Sequence, residues 1–503
     1  MAMHRPPPRS IAGILQNLGP GLIVAGAIVG SGELVATTKT GAEAGFWLLW
    51  LILIGCVIKV FAQVEFGRVT VTEGKTALEA LDSVPGPRRR VNWIVWYWLI
   101  MTVVGLAQLG GIVGGVGQAL ALAAPLTDEG RVFNEVQGRR IDAQVESAIM
   151  SRREDVPADE ASRLTLVRDA AADEARAMDE PPDPFLWAAL LAIPTAVLLV
   201  LGRYKLVQIV SLVLVAAFTA VTVLTVFLLQ MQEDWAISGG DIADGMSVRL
   251  PPERGGLNPM HTALAAFGII GVGAAELIMY PYWCLEKGYA RDTGRDDGSD
   301  AWVERARGWL RVMRWDALLS MFVYTVGTIA FYLLGAAVLG RCGLNPEKGD
   351  LVRTLSEMYA PVFGEWAPAL FLVGAFAVLY STYFVASASY ARVCADAVRV
   401  FGVGGRTEAD REWWRKFFCA FFPLASCVIF VFVRSPGALI LTAGVSQVLM
   451  LPMLAFAALW FRYKRSHPKL RPGRTWDVLL WLSSAGLFLA GTWAALTKIG
   501  LIG

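Results

Sequence analysis

Apolar runs long enough to cross a lipid bilayer recur from one end of this 503-residue chain to the other. A spanning helix needs ~20 predominantly apolar residues. That measure places segments at 18–40, 46–66, 93–124, 185–202, 206–230, 262–285, 315–340, 366–390, 414–433, 437–461 and 476–498, about eleven crossings. The first and sixth are interrupted. A water-soluble fold has no interior large enough to hide so many runs, so the sequence specifies an all-α polytopic membrane protein with the lipid bilayer as its surroundings.

Lysine and arginine gather in alternate connections: "GPRRRVN", "GRYK", "ARGWLRVMRW", "REWWRKF" and "RYKRSHPKLRPGR". The positive-inside rule makes those connections cytoplasmic, which predicts a cytoplasmic N-terminus and an extracytoplasmic C-terminus in a plasma or inner membrane. Residues 1–17, opening "MAMHRPPPRS", read as a retained cytoplasmic tail, because no small-residue cleavage site follows. Residues 127–184 stand apart, rich in both charge signs. Ile141, Val145 and Ile149 recur there at helical spacing and Pro157 interrupts the pattern, which predicts an extracytoplasmic helical hairpin.

Several function classes drop out. A net charge of +2 with no basic tract interleaved with aromatics does not suit a nucleic-acid partner. The six scattered cysteines, Cys56, Cys284, Cys342, Cys394, Cys419 and Cys427, form neither a disulfide framework nor a CxxC metal site. His4, His261 and His467 lie far apart, and no HExxH, GxSxG or P-loop spacing occurs, so neither an enzyme nor a cofactor is expected.

Two short stretches match: "AIVGSGELVATT" in the first segment and "IGVGAAELIMYP" in the sixth. Each has a small-small-Glu-Leu core, Gly30 to Leu34 and Gly273 to Leu277. Transporters built from inverted repeats place discontinuous helices at corresponding positions of their two halves and bind substrate between them near the midplane. Residues 18–230 and 262–461 then form two five-helix repeats, with 476–498 as an eleventh helix. Carboxylates in hydrocarbon are costly and usually line a cavity or a cation path, which makes Glu33 and Glu276 candidate cation ligands. The structural alternative is that they cap broken helix ends or pair with a lysine such as Lys39.

"LGPGLIVAGAIVGSGEL", "AEAGFWLLWLILIG", "TEGKTALEAL", "GIIGVG", "FGEWAPALFLVGAFAVLYSTYFVASASYA" and "GVSQVLMLPMLAF" together resemble the Nramp (natural resistance-associated macrophage protein) family of divalent-metal transporters. The resemblance covers nearly the whole chain outside 127–184. It implies a LeuT-type fold with metal held between helices 1 and 6. The family's first-helix Asp-Pro-Gly-Asn matches Gly30, Ser31, Gly32 and Glu33, so its Asp is absent. Its sixth-helix Met-Pro-His matches Ala275, Glu276 and Leu277; a four-residue shift would bring Met279 there instead. The tenth-helix glutamine is retained as Gln447, after Ser446. The third helix, acidic in the family, reads "TVVGLAQLGGIVGG" without an Asp or Glu.

The resemblance thus implies a site from Gly30, Ser31, Glu33, Ala275, Glu276 and Gln447, with Glu33, Glu276 and Gln447 as metal ligands. Losing the thioether leaves oxygen donors, which suit a hard divalent cation such as Mg²⁺ or Mn²⁺. Without titratable groups in the third helix, proton coupling is expected to be weak or absent. A second reading is a small organic cation, held by Tyr280, Tyr282 and Trp283 through cation–π attraction. A third is a non-transporting sensor or scaffold.

Overall fold

Backbone polar groups inside hydrocarbon must pair within their own segment, and the chain answers with helices almost throughout. The computed structural model describes all residues except 1–4, 22, 24–25, 27–28, 154–155, 203–204, 252–257, 405–406 and 502–503. Nine helices among the described residues are long and apolar enough to cross a membrane. The other two expected crossings are the first segment, partly outside the described residues, and Lys205–Leu229, whose described apolar stretch is shorter.

The first segment comprises a π-helical stretch, Val29–Thr37, continued by α1 (Thr38–Ala44). Then come α2 (Leu49–Glu73), α3 (Trp93–Gly105) with its continuation α4 (Ala107–Ala123), and the hairpin α5 (Asp128–Met150) and α6 (Ala158–Arg176). The first half closes with α7 (Asp183–Leu201) and α8 (Lys205–Leu229). The second half holds α9 (Pro259–Ile269), α10 (Ala274–Lys287), α11 (Asp300–Leu334), α12 (Ala367–Val400), α13 (Glu408–Val433) and α14 (Pro436–Trp460), and α15 (Arg474–Lys498) ends the chain. The π-helical stretch packs among α9, α11, α12 and α14 at the centre of the bundle.

Several boundaries differ from expectation, the two largest differences for one reason. α11 starts at Asp300, not 315, and α12 runs to Val400, not 390. Both extensions carry charges, "ERARGWLRVMR" and "ARVCADAVRV", that a search for apolar runs discards. The α11 extension is amphipathic, with Trp302 and Trp309 buried and Glu304, Arg307 and Arg311 exposed, whereas in the α12 extension Arg392 and Asp396 are themselves buried.

Asp128–Met150 and Ala158–Arg176 form a helical hairpin, with Pro157 as the N-cap of α6. It fastens onto the connection between α11 and α12. Arg140 pairs with Asp350, Gln144 Nε2 donates to the Cys342 and Gly343 carbonyls at 3.1 and 2.9 Å, and Arg353 donates to Asn134 Oδ1 at 2.8 Å. The same connection reaches the first segment. Buried Lys39 donates to Asn345 Oδ1 at 2.6 Å and Glu347 Oε1 at 2.7 Å and pairs with Glu43 at 3.0 Å. Its ion pairs are therefore with Glu43 and Glu347, at one end of the bundle, and the alternative pairing of Lys39 with Glu33 or Glu276 does not form.

Candidate functional site

The sixth segment breaks where its glycines predict. The last helical bond of α9 runs from Ile270 N–H to the Ala266 carbonyl at 2.8 Å. Ile270 is then extended, Gly271 turns at φ +58°, and Gly273 precedes α10 without a side-chain cap. A left-handed φ costs a side-chain-bearing residue energy that glycine does not pay. Continuing α9 by one residue would pair Gly271 N–H with the Phe267 carbonyl, and each finds another partner instead. Gly271 N–H donates to Glu33 Oε1 at 3.2 Å. The Phe267 carbonyl accepts from Lys59 Nζ, which also donates to the Ile270 carbonyl at 2.7 Å.

The first segment behaves differently from expectation. Across Gly30 to Gly32 the described backbone does not open; it widens into the π-helix, with Thr37 and Thr38 hydroxyls directed to the carbonyls of Gly32 and Glu33, five residues back, at 3.1 and 3.4 Å. Ala25, Ala27 and Ile28 lie outside the described residues. The glycines serve close approach: a Cβ on Gly30 would run into Thr382 of α12, and one on Gly32 would lie 3.1 Å from the Ile269 carbonyl of α9. π-Helical turns are frequent at functional sites, and in this stretch Glu33 reaches the break in the sixth segment through Gly271 N–H.

Glu33 is fully buried. Thr328 Oγ1 lies 3.1 Å from its Oε1 and 2.7 Å from the Tyr324 carbonyl, sharing one proton between them. Glu276 begins α10. A Cβ built on Gly273 would meet Glu276 Oε2, Gln447 Oε1 at 2.8 Å and the Gly268 carbonyl oxygen at 3.2 Å. Three oxygens therefore converge on one point beside the break. Among the described residues, Glu33 Oε2 and Glu276 Oε2 are sealed from solvent with no hydrogen-bond partner. Buried polar atoms are normally paired, and exceptions point to a missing ligand or ion.

A row of amides organises this region. Gln447 Oε1 accepts from Ala275 N–H at 3.0 Å, Gln447 Nε2 donates to Gln108 Oε1 at 2.8 Å, and Gln108 Nε2 donates to Ser31 Oγ at 3.0 Å. Thus Ser31, Ala275 and Gln447 are brought together, with Glu276 beside Gln447. Glu33 meets the other edge of the break through Gly271. Among the described residues no three His, Cys, Asp or Glu side chains gather into a metal cluster, so any cation here must rest on carbonyl and amide oxygens as well as carboxylates. Ala275, Gln447 and Met279 also border a cavity of about 10 Å³ with Thr102 and Tyr390, room for about one water.

Tyr280 does not face this group. Its hydroxyl lies 3.3 Å from the Met313 carbonyl and 3.2 Å from Asp316 Oδ2. Asp316 accepts from Gly19 and Gly21 N–H at 2.9 and 2.5 Å, fastening the start of the first segment to α11. Tyr282 donates to Asp396 at 2.7 Å and Trp283 to Ser389 at 3.2 Å. These aromatics hold the bundle together away from Glu33 and Glu276.

Sequence reading missed Lys59, Gln108 and Asp316. Lys59 had a signal, being the one charge in the apolar run from Leu49 to Val64, and an intramembrane charge marks function by default. Gln108 had none, because its role depends on a partner 339 residues away.

A family model described as Natural resistance-associated macrophage protein-like matches residues 176–497. The chain belongs to the Nramp family. The match begins after the third segment, so the departures at Gly30 to Glu33 lie outside it. An uncharacterised protein of Pasteurella multocida is 23% identical over 479 residues, covering 93% of this chain and 89% of that protein. The divalent metal cation transporter MntH of Caldanaerobacter subterraneus is 30% identical over 115 residues, 22% of this chain and 26% of that protein. In three dimensions a mutant of the Eremococcus coleocola manganese transporter superposes with TM-score 0.62 at 16% identity, covering 98% of this chain and 90% of that one. The fold of this Nramp protein is the LeuT-type arrangement that the family resemblance implied, and the chain is an integral membrane protein.

Proposed function

We propose that this Nramp protein is a secondary transporter of divalent metal cations whose site selects a hard ion, Mg²⁺ or Mn²⁺, with weak or absent proton coupling. The observation that carries the reading is the convergence of Glu276 Oε2, Gln447 Oε1 and the Gly268 carbonyl beside Gly273. Hard cations take carboxylate, amide and backbone carbonyl oxygens, and Mg²⁺ keeps several waters. Ala275 stands where the family motif has its methionine; Met279 borders the small cavity beside Gln447, but the three donors that converge beside Gly273 are all oxygens, the set that hard ions prefer. Glu33, across the break, is the second carboxylate.

The two ends of the first segment are fastened differently. Lys39 ties one to the connection carrying Asn345 and Glu347, and Asp316 ties the other at Gly19 and Gly21. Alternating access releases one fastening at a time, with the hairpin end extracytoplasmic and the arginine-rich end cytoplasmic. The absence of Asp and Glu from "TVVGLAQLGGIVGG" supports movement without a proton relay in α3 and α4.

Thermal unfolding in detergent tests the substrate class, since a ligand that binds only the folded state raises its stability. Titration with Mg²⁺, Mn²⁺ or Ca²⁺ raises the Tm, and alkylamines leave it unchanged. Stabilisation by amines alone would overturn the reading.

A further inference from the structure

Among the described residues Lys59 is the cation seated at the break, and it is fully buried. Its ammonium bonds the carbonyls of Phe267 and Ile270, at the buried carboxyl end of α9, and lies 5.0 Å from the Phe267 ring centroid. The last carbonyls of a helix have no partners within it and carry about half a negative charge. In transporters with broken helices, such carbonyl ends coordinate the free cation that couples to transport. Here a side chain from α2 already fills the seat, and Glu33 accepts the Gly271 N–H on the other side of the same break.

We infer that Lys59 is a tethered cation occupying the coupling-ion seat at the carboxyl end of α9. It replaces a free monovalent cation, holds the break open and leaves the divalent cargo to move without a co-ion bound there. Three features fit together. The ammonium presents N–H donors to two carbonyls, as a monovalent ion would present charge. Its position is fixed by α2, so no ion need be captured in each cycle. The second half of the interrupted hydrogen bond, Gly271 N–H, is taken by Glu33 and not by water. Lys59 acts through the backbone of the sixth segment, so it is a positioning residue. The uptake arm of its test rests on the transport reading above; the binding arm does not.

The binding arm uses purified full-length Lys59→Ala, which empties the seat. Its Tm lies below that of the unsubstituted protein and rises when choline is replaced by Na⁺, K⁺ or methylammonium, whereas the unsubstituted protein shows no such rise. A purely structural lysine would leave Lys59→Ala equally unstable in all four salts, and that result overturns the inference. The uptake arm compares Mn²⁺ entry into proteoliposomes of unsubstituted protein in Na⁺, K⁺ or choline. Equal rates support the inference, and a rate that collapses in choline overturns it. Should Lys59→Ala not fold, this second arm decides alone. Absence of any Mn²⁺ entry would count against the transport reading, and the Tm comparison would still decide the role of Lys59.

Discussion

Glu33 and Lys59 divide between them one hydrogen bond that the sixth segment would otherwise make with itself. Glu33 Oε1 accepts the Gly271 N–H at 3.2 Å, and Lys59 donates to the Phe267 carbonyl. An acid from the first segment and a base from the second thus stabilise both faces of a break in the sixth. The arrangement explains how a discontinuous helix persists at membrane depth, where unpaired backbone groups cost several kcal/mol each if they face lipid.

Substitution at Glu33 separates its structural share from its ligand share. Glu33→Ala orphans the Gly271 N–H at a cost of about 1–3 kcal/mol. Glu33→Gln retains an acceptor and costs less, yet removes the charge. The expected result is a larger Tm loss for alanine than for glutamine with cation-induced stabilisation weakened in both. Equal Tm losses would show that the Gly271 contact contributes nothing.

Gly273→Ala probes the oxygen nook with little backbone penalty, because Gly273 lies at φ −64°, a region alanine adopts freely. Its Cβ would press on Glu276 Oε2 and on Gln447 Oε1. The protein folds, and the Tm rise on adding Mg²⁺ or Mn²⁺ is lost. An undiminished rise would move the cation elsewhere.

The paired "GSGEL" and "GAAEL" made the breaking sixth segment and its acidic neighbours legible, because glycine spacing and an intramembrane carboxylate are local signals. What the first stretch does with its glycines was not legible. Gly30 and Gly32 answer to Thr382 and Ile269, hundreds of residues away, so close packing and helix breaking look alike in sequence. Tyr280 illustrates the converse: one residue in α10 separates Met279, on the cavity beside Gln447, from a side chain turned to Asp316. Helical phase at a broken end cannot be read without the break's geometry. The hairpin at 127–184 was legible as helices, but its hold on Asp350 and Cys342 was not.

The fastening at Lys39 makes a double-mutant prediction. Lys39 and Glu43 are both nearly sealed from solvent, 3.0 Å apart. Removing one member of a buried pair costs roughly 3–5 kcal/mol, whereas replacing both by apolar residues is often neutral. Lys39→Met should therefore lower the Tm strongly and Lys39→Met with Glu43→Met much less. Additive losses would mean that the two charges do not interact.

A pH dependence arises at the short helix Ala77–Asp82, in the connection after α2. Burial alone would raise the Glu79 carboxyl, but the Thr76 N–H and the Arg399 guanidinium together hold it below its ordinary range. A depressed acid stabilises the fold above its unfolded pKa and loses that contribution as the pH falls through the folded value. Arg399→Ala should flatten the acid-side decline of Tm. An unchanged decline would assign it to other carboxylates.

The most direct measurement is the entry of Mn²⁺ into proteoliposomes with Mg²⁺ as competitor and internal pH recorded, using the unsubstituted protein and Glu276→Gln. The account predicts saturable entry, competition by Mg²⁺, little accompanying acidification and loss of entry in Glu276→Gln. Absence of saturable entry, or entry indifferent to Glu276→Gln, would contradict it.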